Sequence, residues 1–122
     1  MKKILFIDDN NHLREEVIEA LQFEGFHVLG ANDAQLGIEM AKIHKPNLIL
    51  CDVRMPEVDG FDVYTQLKSD TSTASIPFIF LSALAQVDEV RKGMELGADD
   101  YLIKPISLED LLKAIYLKIC RV

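Results

Sequence analysis

The chain has 122 residues, 49% of them apolar and 27% charged, and its 13 basic against 20 acidic side chains give a formal net charge of −7. That length and apolar content suit one compact domain with its own core, and the acidic balance argues against a nucleic-acid face, which needs clustered lysine and arginine. The surplus acid is either a solubilising surface or a set of carboxylates converging on a cation.

The first apolar run, Ile4-Leu5-Phe6-Ile7, ends at Asp8-Asp9. A helical pattern follows from about Asn11 to Glu24, with Leu13, Val17, Ile18 and Leu21 on one side, and Gly25 stops it. His27 to Ala31 is a shorter, less apolar strand. Asp33 then caps a second helix whose inner side is expected to carry Leu36, Met40, Ala41 and Ile43, and Pro46 ends it. Leu48-Ile49-Leu50-Cys51 is a third strand, closed abruptly by Asp52. A helix from about Gly60 to Leu67 carries Phe61, Val63, Tyr64 and Leu67, and the polar stretch Ser69 to Ser75 is a loop. The strand Pro77 to Leu81 ends at Ser82, and a helix of about Val87 to Leu96 is closed by Gly97. Tyr101-Leu102-Ile103 is the last strand and runs into Lys104-Pro105; Ser107 caps a final helix through Leu111, Leu112, Ile115 and Ile119.

Five strands, each followed by a helix and each apolar along its length, predict a single α/β domain: a doubly wound (βα)5 sandwich whose parallel sheet is covered on both faces. No repeat, linker or second domain is visible. Cys51 and Cys120 have neither CxxC spacing nor histidine neighbours, so no disulfide framework or zinc site is expected. Cys51 reads as a small core residue. The opening MKKILFIDD is interrupted by acids after four apolar residues, too short for a signal peptide, and no apolar run approaches a membrane span. A reducing, cytoplasmic setting is expected.

In an open parallel sheet, ligands bind at the carboxyl ends of the strands. Those ends here are Asp8-Asp9, Asp52, Ser82 and Lys104, while strand two ends in Asn32-Asp33 at the sheet edge. Each has a plain alternative: the aspartates can start helices, Ser82 can be a turn residue, and Lys104 can be a solvated charge. Together they gather three carboxylates, a hydroxyl and an ammonium on one rim. Clustered carboxylates are tolerable when a cation or protonation relieves them. Carboxylates with a backbone carbonyl and waters suit Mg²⁺. An aspartate so neutralised, beside a lysine and a hydroxyl, is a setting for accepting a phosphoryl group as an aspartyl phosphate.

Four motifs, FIDDN (6–10), LILCDVRMPEVDG (48–60), FIFLSA (78–83) and GADDYLIKP (97–105), occur in an order and spacing that resembles the receiver domain of two-component response regulators, including chemotaxis receivers. The resemblance spans nearly the whole chain. It implies one flavodoxin-like three-layer domain over residues 1–122 with strand order 2-1-3-4-5. It further implies that Asp52 is the phosphoacceptor, and that Asp8, Asp9, Asp52 and the backbone carbonyl of Arg54 hold Mg²⁺, for which Mn²⁺ can substitute. Ser82 takes the hydroxyl position that contacts the phosphoryl group, Tyr101 the switch aromatic position, and Lys104 the phosphoryl-pairing position. Pro105 is expected to follow a cis peptide bond. Pro56 and Gly60 shape the loop after the phosphoacceptor, and Arg54 and Leu84 flank the phosphoryl group and tune its loss.

The implied partners are a histidine kinase or histidine phosphotransfer protein and an output protein or domain reading the 87–119 face, with neither nucleic acid nor membrane contacted directly. A dimer formed on phosphorylation is the remaining family possibility. In the DNA-binding subfamily that dimer uses basic residues on the fourth and fifth helices, and the comparable positions here are read as Val90 and Ala114. Ile106 stands where phenylalanine is frequent.

Three other readings compete. A Mg²⁺-dependent phosphatase with an aspartyl-phosphate intermediate usually carries an acid two residues after its nucleophile, where this chain has Arg54. A pure scaffold would need a broken site, and the five key residues are present. A dinucleotide-binding fold needs a glycine-rich turn after strand one, where this chain has DDNNHL.

Overall fold

The computed structural model describes residues 1–119, so Cys120 lies outside the described residues. The elements alternate as β1 (Lys3–Ile7), α1 (Asn11–Phe23), β2 (His27–Ala31), α2 (Ala34–His44), β3 (Leu48–Cys51), α3 (Gly60–Lys68), β4 (Phe78–Ser82), α4 (Val87–Leu96), β5 (Asp100–Ile103) and α5 (Leu108–Ile119). All strand pairs are parallel and the sheet order is β2-β1-β3-β4-β5, as the sequence reading expects.

The continuous apolar strands are explained by two half-cores. Leu5, Ile7, Ile49, Cys51, Phe78 and Phe80 face α2 and α3. Their alternate neighbours Ile4, Phe6, Leu48, Leu50, Ile79 and Leu81 face α1 and α5. Successive side chains of a strand point to opposite faces, so a sheet buried on both sides needs apolar residues at every position.

Side-chain caps fix where four helices begin. Asn10 Oδ1 accepts the Leu13 N–H at 3.0 Å, Asp33 that of Leu36 at 2.7 Å, Asp59 that of Asp62 at 3.0 Å, and the Ser107 hydroxyl that of Asp110 at 3.1 Å. Each satisfies an amide that the first helical turn leaves free. The remaining helix, α4, has no such cap at Gln86.

The inner side of α2 differs from the sequence expectation. Leu36 and Ile43 are exposed, at 38% and 74%, and the helix instead buries Ala34, Gly37, Ile38 and Ala41. The cause is close approach to β1: a Cβ on Gly37 would meet the Ile7 side chain. Turning the small residues inward carries Leu36, about 100° away around the helix, to solvent. The loop from Ser69 to Ser75 also holds more structure than its polarity suggests. Thr73 is buried there and its hydroxyl donates to the Leu67 carbonyl at 2.6 Å.

Two glycines meet different demands. Gly60 begins α3 directly against β3's exit, where a Cβ would run into the Asp52 carbonyl oxygen and lie 2.9 Å from Val53 Cα. Gly25 has open space but a φ of +97°. Gly60→Ala should therefore cost about 2–3 kcal/mol through backbone displacement, against about 1 kcal/mol for Gly25→Ala, which meets only the left-handed penalty. Urea unfolding of both variants checks the ranking; equal losses would mean that the loop after Asp52 yields freely.

Candidate functional site

Register brings the site together. Ile7 pairs with Cys51, Cys51 with Phe80, and Ser82 with Ile103, so the residues at or just beyond these positions share one rim. The Asp52 N–H donates to the Ile7 carbonyl at 2.9 Å and the Lys104 N–H to the Ser82 carbonyl at 2.9 Å, extending the ladder to that rim.

Asp8 is fully buried and Asp52 nearly so, while Asp9 is exposed. One carboxylate oxygen from each lies within 4.8 Å of the others. Lys104 Nζ is the cation among them, 2.7 Å from Asp8 Oδ2 and 3.3 Å from Asp52 Oδ2. The other Asp8 oxygen accepts the Asn10 N–H at 2.9 Å, and Asp52 Oδ1 accepts the Val53 N–H at 2.7 Å. Burial pushes the Asp52 carboxyl above its ordinary value; Lys104 opposes this shift and the charge of Asp8 reinforces it. Burial also raises the thiol of Cys51 well above its usual range, so it is an inert core residue beneath the rim, as its apolar setting suggests.

A pocket with two buried carboxylates, a third beside them and one lysine fits a hard divalent cation by its donor chemistry. Oxygen donors are plentiful and no histidine joins the described cluster.

Ser82 is buried at the end of β4, where its hydroxyl accepts the Leu84 N–H at 3.2 Å. Tyr101 lies inward on β5, and its hydroxyl donates to the Leu84 carbonyl at 2.7 Å. The main chain of Leu84 thus joins Ser82 to Tyr101, a link the sequence reading does not contain. The Tyr101 ring packs 5.8 Å from Phe80, and the space beside it depends on Gly93 of α4, where a Cβ would fall 2.9 Å from Tyr101 Cδ2. A glycine inside a helix costs about 1 kcal/mol relative to alanine, and that anomaly is the sequence signal for this slot.

The Lys104–Pro105 peptide is cis, as expected. The loop after Asp52 turns at Pro56, with the Val58 N–H donating to the Pro56 carbonyl at 2.8 Å and Gly60 returning to the Val53 carbonyl at 2.8 Å. Arg54 and Leu84 line one cleft of about 340 Å³, together with Met55, Phe61, Glu89 and Lys92.

Val90 and Ala114, the residues that stand where the DNA-binding subfamily carries basic side chains, offer no charge and little exposed surface. Ala114 is buried in the α1/α5 core and Val90 is half-buried against the other. The exposed cations of these helices lie alongside, at Arg91, Lys92 and Lys113.

The response regulator receiver domain family model matches residues 4–116. The chain belongs to this family. It is 36% identical over 121 residues to the transcriptional regulatory protein PdtaR of Mycobacterium tuberculosis, covering 98% of this chain and 58% of that protein. It is 40% identical over 113 residues to the response regulator MprA of Mycobacterium leprae, covering 93% and 49%. The receiver thus spans about half the length of the curated relatives it matches. Among solved structures, the chemotaxis protein CheY4 of Vibrio cholerae superposes with a TM-score of 0.91 at 28% identity, covering 97% of this chain and 98% of that one. The HemR receiver domain of Leptospira biflexa gives 0.90 at 27% identity, covering 100% and 97%.

The raised Asp52 carboxyl has a consequence for receiver stability. The folded state holds its proton more tightly than the unfolded chain, so ionising Asp52 lowers stability as pH rises from the ordinary carboxylate range through the folded value. Asp52→Asn removes that cost. Without metal, its unfolding free energy from urea denaturation at pH 7 should exceed wild type by on the order of 1 kcal/mol, and the gain should vanish below the ordinary carboxylate pKa. A loss of stability at pH 7 would contradict the electrostatic account.

Proposed function

We propose that this receiver is a phosphoacceptor switch in which Asp52 takes a phosphoryl group from a histidine kinase or histidine phosphotransfer protein. The observation that carries this reading is the convergence of Asp8, Asp9, Asp52 and Lys104 at one strand-end rim. An Asp52 oxygen attacks phosphorus, the new O–P bond forms as the N–P bond of the donor phosphohistidine breaks, and the departing imidazole keeps the electron pair. Asp8, Asp9, Asp52 and the Arg54 carbonyl would hold Mg²⁺, or Mn²⁺ in its place. When bound, that ion neutralises phosphoryl oxygens and the repulsion among the acids. Lys104 supplies a second positive charge to the same oxygens, and the Val53 N–H orients the Asp52 carboxylate.

The product carries about −1.5 to −2 charges where the carboxylate carried one, and it sets strong acceptor oxygens farther out on the rim. Ser82, now bound to the Leu84 N–H, is the hydroxyl placed to turn toward them. Such a turn releases Leu84, the residue that also receives the Tyr101 hydroxyl. The switch therefore acts through a bistable packing element, Ser82–Leu84–Tyr101, biased by local charge. The uncapped start of α4 and its internal Gly93 make that helix the one with least local support, which suits an output face over residues 87–119.

A kinase helix carrying the phosphohistidine would dock on the cleft of about 550 Å³ between α1 and α5, lined by Leu13, Val17, Ala20 and Ile106 and ending at Lys104. Output passes to a partner protein or domain rather than through direct nucleic-acid contact, and a phosphorylation-dependent dimer would use Arg91, Lys92 or Lys113. No described helix is long and apolar enough to cross a membrane, and the reading places the receiver in the cytoplasm with its kinase.

Incubation with acetyl phosphate should add one phosphoryl mass, and the gain should need both Mg²⁺ and Asp52. A gain that survives Asp52→Asn would move the acceptor elsewhere, and none in folded wild-type protein with Mg²⁺ bound would favour a scaffold role. Arg54 and Leu84, which share the neighbouring cleft, restrict attacking water on this reading. Arg54→Asn and Leu84→Glu should each shorten the aspartyl-phosphate half-life severalfold; a lifetime changed by neither would remove both from the tuning role.

A further inference from the structure

Asp9 poses a positional problem. It is exposed, and among the described residues no side chain hydrogen-bonds its carboxylate, yet one of its oxygens lies within 4.8 Å of those of Asp8 and Asp52. Its direction must come from the main chain.

The peptide unit is rigid, so fixing the Asp8 carbonyl fixes the plane that carries the Asp9 nitrogen. That carbonyl accepts Arg14 Nη1 at 2.7 Å. The second arm of the same guanidinium, Nη2, donates to Asn11 Oδ1 at 2.7 Å. On its other side, the Asp8 N–H donates to the Ala31 carbonyl of β2 at 3.0 Å. The turn from β1 into α1 is therefore clamped from the helix and from the neighbouring strand. The Arg14 stem passes beside Gly30 of β2, where a Cβ would meet Ile18 Cδ1 at 2.6 Å and Arg14 Cδ at 3.3 Å, so the glycine makes room for both α1 side chains.

Electrostatics alone would assign Arg14 the opposite effect. A cation close to the acid rim repels a second cation, so its removal should tighten metal binding. Geometry predicts loss, because an unclamped Asp8–Asp9 peptide no longer aims both carboxylates at one point. The two roles differ in sign.

We propose that Arg14 is a positioning residue of the acid pocket, clamping the Asp8–Asp9 peptide so that Asp9 faces Asp8 and Asp52. This rests on the reading that these acids hold Mg²⁺. A planar fork with two donors is required, since a lysine can reach the Asp8 carbonyl or Asn11 but not both together.

The test is Mg²⁺ affinity by titration calorimetry for wild type, Arg14→Lys and Arg14→Ala, with hydrogen exchange of the Asn10 amide measured in metal-free protein. That amide is held by Asp8 Oδ1 and reports the turn without any metal. Arg14→Ala should bind Mg²⁺ about tenfold more weakly, in the range seen when groups supporting metal ligands are removed. Arg14→Lys should fall between it and wild type, and Asn10 exchange should rise in the same order. Affinity within twofold of wild type, or tighter, overturns the assignment whatever the exchange shows. If wild type itself binds no Mg²⁺, the metal reading fails, and the exchange decides the clamp alone: faster exchange in Arg14→Ala upholds it and unchanged exchange overturns it.

Discussion

The contact on which the site depends is the ammonium of Lys104 between two buried carboxylates, 2.7 Å from Asp8 and 3.3 Å from Asp52. Two carboxylates taken out of water at short range destabilise a fold unless something neutralises them. Here the neutralising charge comes from the far end of the chain, delivered by β5, so the site exists only once the sheet is complete. Folding and site assembly are the same event. Burial, reinforced by the charge of Asp8 and opposed by Lys104, still keeps Asp52 reluctant to ionise, and further positive charge at the rim would relieve both causes.

The scaffold serves this contact by rigidity. A parallel sheet buried on both faces leaves its strands little freedom, and the backbone ladder continues past the last paired residues to Asp52 and Lys104. Leu84 is held by Ser82 through its N–H and by Tyr101 through its carbonyl, so one residue links the hydroxyl to the aromatic ring. The ring in turn touches Gly93 on α4, the helix that lacks a side-chain cap.

Most of the fold was legible in the sequence because both the strand pattern and the capping chemistry are local. Five apolar runs ending at Asp, Asn, Ser or Lys could be read directly, and Asp33, Gly25 and Ser107 marked helix ends by residue type. The reading went astray where tertiary fit overruled pattern. Leu36 and Ile43 look like core residues by size, but Gly37 allows so close an approach to Ile7 that the helix turns its small face inward. The site acids and Lys104 were visible because each ends a strand. Arg14 and the Leu84 main chain were not, since both act through backbone carbonyls and amides, whose partners depend on three-dimensional placement alone.

The most direct test of the account is the equilibrium Mg²⁺ affinity of Lys104→Met against wild type. If Lys104 is the resident counter-charge of one three-carboxylate site, its removal leaves that site more negative and frees Asp8 Oδ2, and Mg²⁺ should bind severalfold more tightly. Equal or weaker binding would mean that Lys104 does not compete for the same carboxylates, and the single-site account would be wrong.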